Sequence, residues 1–158
     1  MADTFAGAKL YICSTPQPNN LSQAEYEALT WIPIGKVGSM DTIGSDTNVL
    51  TYDTWDSDVI DKGKGMTNAG DPTVECARVP TDAGQVAVRA AALTKFKYAF
   101  KKESADAPQA GYSNTMIYNR GLVLGPTRPQ GRNEDFDLEV YKLAFVQREI
   151  VVNPAVIP

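Results

Sequence analysis

The sequence predicts a mostly-β protein: a β-sandwich or open barrel of about seven strands with one main α-helix packed against it. Three observations carry that prediction. Short runs in which apolar and polar residues alternate with period two recur along the chain. Clusters of Pro, Gly and Asn punctuate those runs. One stretch alone combines a helix start with an Ala-rich body, at residues 82–93. With 158 residues and 43% of them apolar, the chain is sized for one core, and residues 1–158 read as a single domain.

The elements follow in order. Residues 9–14 alternate, Leu10 and Ile12 opposing Lys9, Tyr11 and Cys13, as in a half-buried strand. Pro16, Pro18 and two asparagines then force a loop. Ser22 and Glu25 have capping-box spacing, so a short helix is predicted over residues 23–29. Trp31, Ile32, Ile34 and Val37 lead through a second strand that ends near Gly38. Residues 47–55 are strand-like, and 73–79 are again, stopped by Pro80. In the main helix Asp82 caps, Gln85 occupies the third position, and Val86, Ala90 and Leu93 share a face. Phe96, Tyr98 and Phe100 then alternate with Lys95, Lys97, Ala99 and Lys101, which puts an aromatic core face and a basic face on one strand. Residues 115–124 form a strand with Gly121 at a bulge or close approach, and 125–133 form a turn region. The last strand runs over 136–152. Its apolar face changes near Tyr141, implying a bulge or two halves in different surroundings.

Composition removes several function classes. A formal charge of −4, from 15 basic and 19 acidic residues, gives no basic excess for holding phosphates. The first residues lack the pattern of a secretory signal, and no run approaches the roughly 20 apolar residues of a membrane span, so the reading is of a chain without a membrane anchor, made and kept in a cytoplasm. Cys13 and Cys76 sit among apolar or alternating residues and are expected as reduced core thiols. There is no histidine, which takes away the usual general base and the commonest transition-metal ligand. No enzyme activity, catalytic residue, cofactor or metal is expected.

The chemical motifs are incomplete. Residues 111–115 begin like a nucleophile elbow, but Thr115 replaces the closing glycine and no histidine can activate Ser113. Asp56, Asp58 and Asp61 suggest a calcium loop, yet Ile60 stands where an oxygen ligand belongs and Thr67 where a glutamate belongs. Residues 63–65 lack the glycine spacing of a phosphate loop. The acidic, glycine-bearing segment near 53–72 remains, with little core-forming content. Structureless insertions of that length are usually functional or disordered until bound, and a loop that orders on assembly fits the composition.

In succession, Gly7-Ala8-Lys9-Leu10-Tyr11, the Trp31-led segment 29–37, the acidic loop, the Asp82-Ala83-Gly84-Gln85 helix start and the Phe96-Lys97-Tyr98-Ala99-Phe100 strand resemble the major tail-tube subunits of long-tailed, siphovirus-type bacteriophages. The resemblance implies a helix-flanked β-sandwich, six copies closing into a ring by sheet pairing, and rings stacked into a tube through which DNA passes during ejection without tight binding. It implies a virion-tail location after assembly in the host bacterial cytoplasm, with tape-measure and tail-end or tail-tip proteins as partners. It places the inter-ring arm on residues 55–70, hence Trp55, Asp56, Asp58, Asp61, Lys62, Lys64 and Met66. The strand carrying Phe136, Leu138, Val140, Leu143 and Phe145 is the candidate for pairing between subunits. The C-terminal immunoglobulin-like domain of some family members has no counterpart here. The other readings are a tail-completion or head-decoration protein, and a β-sandwich binding module using Tyr52, Trp55 and Tyr112. A hydrolase built on Asp56 and Asp58 would need a structured cleft, which a glycine-bearing loop does not supply.

Overall fold

A computed structural model describes residues 2–158 as an open antiparallel β-barrel with one main helix and a projecting hairpin. Among the described residues ten strands and two helices follow in order: β1 (Lys9–Ile12), α1 (Gln23–Glu27), β2 (Ile32–Ile34), β3 (Val37–Met40), β4 (Asp46–Tyr52), β5 (Asp61–Asn68), β6 (Thr73–Ala77), α2 (Ala83–Ala92), β7 (Tyr98–Glu103), β8 (Met116–Thr127), β9 (Leu138–Phe145) and β10 (Ile150–Val152). The main sheet has the order β2-β1-β7-β8-β9-β6-β3, with β10 beside the first half of β8, while β4 and β5 pair only with each other.

The two ends of that sheet order are neighbours in sequence. The single strand expected from Trp31 onward is two, separated by Gly35 and Lys36, and Lys36 has a φ of +58° that bends the chain from one end of the sheet to the other. α2 packs across this corner. Its cap, Asp82, accepts from the N–H groups of both Gln85 and Gly35 at 3.0 Å. The Gln85 amide donates to the carbonyls of Gly35 (2.8 Å) and Ala77 (2.9 Å), and its oxygen accepts from the Val79 N–H (2.8 Å). Gly84 allows the approach, because a Cβ there would lie 2.0 Å from the Pro33 carbonyl oxygen.

The core lies between α2 and the sheet, where Leu10, Ile12, Val74, Val88, Phe100, Val123, Leu143 and Phe145 are buried together. The helix face differs from expectation. Gly84, Gln85, Val88 and Ala91 face the core, whereas Val86, Ala90 and Leu93 face outward. Both stripes are apolar at helical spacing, and the hydrogen bonds of Gln85 and the missing side chain of Gly84 select between them. Phe96 also lies outside, while Tyr98 and Phe100 are core residues as expected. A second cluster forms on the other side of β7 and β8, where α1 lays Tyr26 against Tyr118 with ring centroids 5.2 Å apart. Arg120 donates to the Gln17 carbonyl (2.9 Å) and to Asn20 (2.6 Å), holding the preceding loop to β8. Cys13 and Cys76 are free and buried.

Three further expectations change. The polar segment 53–72 contains the strand β5, and β8 continues into the expected turn region as far as Thr127. Gly121 is a close approach, since a Cβ there would meet the Ala144 carbonyl oxygen at 2.2 Å. In the last strand the apolar face does not change at Tyr141. Glu139, Tyr141, Leu143 and Phe145 share one buried face, and the break lies between Phe145 and Ile150. A charged residue at a core position disguised the period.

Candidate assembly surface

The β4–β5 hairpin is the most exposed structured part of the molecule. Thr51 pairs with Lys62, Leu50 with Gly63 and Val49 with Lys64, and a register shift then sets Gly65 and Met66 against the single residue Asn48. Gly65 fits that bulge, as a Cβ on it would stand 3.2 Å from the Asn48 Cβ. Neither face is covered. Val49, Leu50, Tyr52, Trp55, Val59, Ile60 and Met66 are all exposed, with Trp55 fully so and Met66 at 84%. An isolated two-stranded ribbon is marginally stable in water, and exposed apolar side chains in this number make the hairpin a candidate interaction surface.

The root of the hairpin is fixed. Ser45 donates to Glu149 at 2.6 Å, and Asp41 accepts from the hydroxyl and N–H of Thr73. The Gly70 and Pro72 carbonyls accept from the N–H groups of Phe145 (3.0 Å) and Leu143 (2.9 Å). Gly70 reaches this position at a φ of +102°. Burial alone would raise the Glu149 carboxyl, but the hydrogen bonds from Ser45 and nearby backbone hold it below the ordinary carboxylate range.

The residues assigned to the inter-ring arm thus fall on one element: Trp55, Asp56 and Asp58 at its turn, Asp61, Lys62, Lys64 and Met66 on β5. The residues assigned to subunit pairing do not behave as a set. Phe136 lies outside the strand and is 83% exposed, Leu138 and Val140 are half-buried, and Leu143 and Phe145 belong to the core. Both edges of β9 are occupied within the subunit, by β6 and β8, so its backbone has no row of groups left for another chain. The aromatic trio of the binding-module reading is divided too, because Tyr52 and Trp55 are on the hairpin whereas Tyr112 bridges Val156 near the C-terminus.

Sequence reasoning missed the ion cluster on β9. Glu139 is fully buried, and Arg89 donates to its two carboxylate oxygens at 3.0 and 3.2 Å. Arg78 stands 3.3 Å away, Arg128 3.7 Å, and the Tyr141 hydroxyl donates at 2.7 Å. Burial would raise this carboxyl, yet the hydrogen bonds from Arg89 and Tyr141 and the charges of Arg89 and Arg128 hold it below the ordinary range. Burial and the bond to Glu139 push the Tyr141 phenol upward. Every Glu139 oxygen is used internally, so the cluster is a brace between α2 and the sheet. Burial also raises the Cys76 thiol to about 11, as suits an inert core cysteine. Among the described residues no group of three or more His, Cys, Asp and Glu could hold a metal ion, and no helix is long and apolar enough to cross a membrane.

No protein-family model matches the chain, and no curated protein sequence is similar to it. Solved structures are. A chain in the cryo-EM structure of the anti-feeding prophage cap, the tube-terminating cap, is similar with a TM-score of 0.63 at 10% identity, over 97% of this chain and 93% of that one. A chain in the six-fold symmetrised baseplate of the same anti-feeding prophage is similar with a TM-score of 0.61 at 7% identity, over 97% and 98%. At such identities the likeness is one of fold, and it extends over the whole described architecture of this mostly-β chain with its single main helix.

Proposed function

We propose that this protein is a non-enzymatic structural subunit of a phage-tail-like tube, which assembles with copies of itself and uses the β4–β5 hairpin as its arm to a neighbouring ring. The carrying observation is the hairpin: an uncovered ribbon with exposed apolar side chains on a fixed root, in a chain whose fold is similar to chains of the anti-feeding prophage tube-terminating cap and baseplate. In this reading rings, six-membered as the family resemblance implies, stack into a tube, and tape-measure and tail-tip proteins complete it. DNA passes through the lumen. The net charge of −4 gives no overall basic excess with which to hold passing DNA. The virion tail is the final location.

Negative-stain electron microscopy across a concentration series tests the proposal, with a variant in which residues 53–60 are replaced by Asn-Gly. That two-residue turn suits the Tyr52–Asp61 pair and keeps the strands. Stacked rings from the native chain and none from the variant are expected. Equal tube growth by both would remove the hairpin from the proposal. The similarity to a tube-terminating cap favours one second reading, a tail-completion subunit, which would give single rings that never stack.

A further inference from the structure

The hairpin is not the only uncovered apolar surface. Val86, Ala90, Leu93 and Phe96 follow one another at helical spacing along the outside of α2 and just beyond it, with Leu93 at 88% exposure and Phe96 at 60%. The two surfaces carry opposite charge. From residue 37 to 61 there are six aspartates and no Lys or Arg, whereas from 83 to 102 there are five Lys and Arg and no acid. Of those five, Arg89 is engaged by Glu139, the Lys101 ammonium sits 4.3 Å over the Tyr11 ring, and Lys102 donates to Ser104 at 3.0 Å. Lys95 and Lys97 are left beside Leu93 and Phe96, and Lys95 is exposed. Within the subunit α2 packs on β1, β2 and β8, while the hairpin strands pack chiefly on each other.

We propose that the acidic, apolar tip of the hairpin docks on the basic, apolar outer face of α2 in a second copy of this chain, an inference that rests on the self-assembly reading above. Trp55, Val59 and Ile60 supply the desolvated contact, with Leu93 and Phe96 opposite them. Asp56 and Asp58 meet Lys95 and Lys97, which sets the register and steers encounter. The contact joins two different patches, so it is heterologous and repeats from copy to copy into a closed ring or a growing stack.

A reciprocal charge swap tests this. Self-association is followed by sedimentation velocity and negative stain over a concentration series for the native chain, D56K/D58K, K95E/K97E and the variant combining all four changes. Each two-residue swap should raise the concentration needed for assembly at least tenfold, and the combined variant should recover most of that loss. Circular dichroism should be unchanged throughout, because the swaps lie outside the core. Native-like assembly by K95E/K97E, or no recovery in the combined variant, overturns this docking while the proposed function stands. A native chain that stays monomeric at every concentration overturns both.

Discussion

Strands β5 and β9 are each eight residues long and antiparallel to their neighbours, yet they are held by different physics. β9 is paired on both sides and alternates between buried and half-buried positions, so the core fixes its register. β5 is paired on one side and exposed along nearly its whole length, so only hydrogen bonds to β4 and the bulge at Gly65 set its register. Both carry charge. On β9 the charge of Glu139 is buried and fully partnered and only Lys142 is exposed, whereas Asp61, Lys62 and Lys64 of β5 all stand in water. β9 therefore stores folding stability, and β5 stores unused surface. Substitutions in the two strands should separate along that line.

The largest effect is expected at Glu139. Glu139→Gln leaves the half-buried Arg89 guanidinium without its fully buried counter-charge. Breaking a buried pair costs about 3–5 kcal/mol, and about 3 is expected here because Arg78 and Arg128 still reach water. Urea unfolding measures it. The pH dependence sharpens the test. The folded pKa lies below the unfolded value of about 4.3, so this contribution is complete above that value and is lost as the pH falls through the folded pKa. The native and Glu139→Gln proteins should therefore differ most near neutrality and converge only as the pH falls through the lowered folded pKa. A gap that stays constant with pH would show that packing, not charge, holds β9 to α2.

Gly84→Ala should come next. A methyl group 2.0 Å from the Pro33 carbonyl oxygen meets backbone, which cannot rotate away, so α2 must lift from the corner at Gly35 and Lys36. Overpacking of this kind costs about 1–3 kcal/mol. Thermal unfolding measures it, and a change below about 0.5 kcal/mol would mean that α2 is free to shift. Ser22→Ala removes the cap whose hydroxyl accepts from the Glu25 N–H, and should cost about 0.5–1 kcal/mol, since the helix is short and its start exposed.

The same contrast explains what the sequence could disclose. β1 and β7 were legible because Leu10 with Ile12, and Tyr98 with Phe100, keep the two-residue period of a strand facing the main core, although Ala99 on the opposite face of β7 is buried in the second cluster. α2 was legible as a helix through Asp82 and its Ala-rich body, but not in its facing, because a buried glutamine and a glycine decide that and hydropathy ranks both as outward. β5 was invisible: a strand exposed on both faces has no apolar period, and Lys-Gly-Lys-Gly reads as flexible chain. Glu139 hid the continuity of β9 for the opposite reason, being a core residue with a surface residue's chemistry. The segment itself was still conspicuous in the sequence, because an acidic stretch with little core-forming content stands out even when its structure does not.

The smallest effect on stability should accompany a large effect on assembly. Trp55 is fully exposed at the hairpin turn, so Trp55→Ser removes no intramolecular burial and should change unfolding free energy by less than about 0.5 kcal/mol. Tryptophan is also the residue most enriched where binding energy concentrates, so under the proposed function the same change should abolish assembly at concentrations where the native chain associates. Sedimentation velocity and urea unfolding on one preparation give both numbers. Glu139→Gln should show the reverse at temperatures where it remains folded, with weakened stability and an unchanged assembly concentration. If instead the two variants lose stability and assembly in proportion, the hairpin is coupled to the core through its root at Ser45 and Glu149, and the division between a storing strand and an offering strand fails.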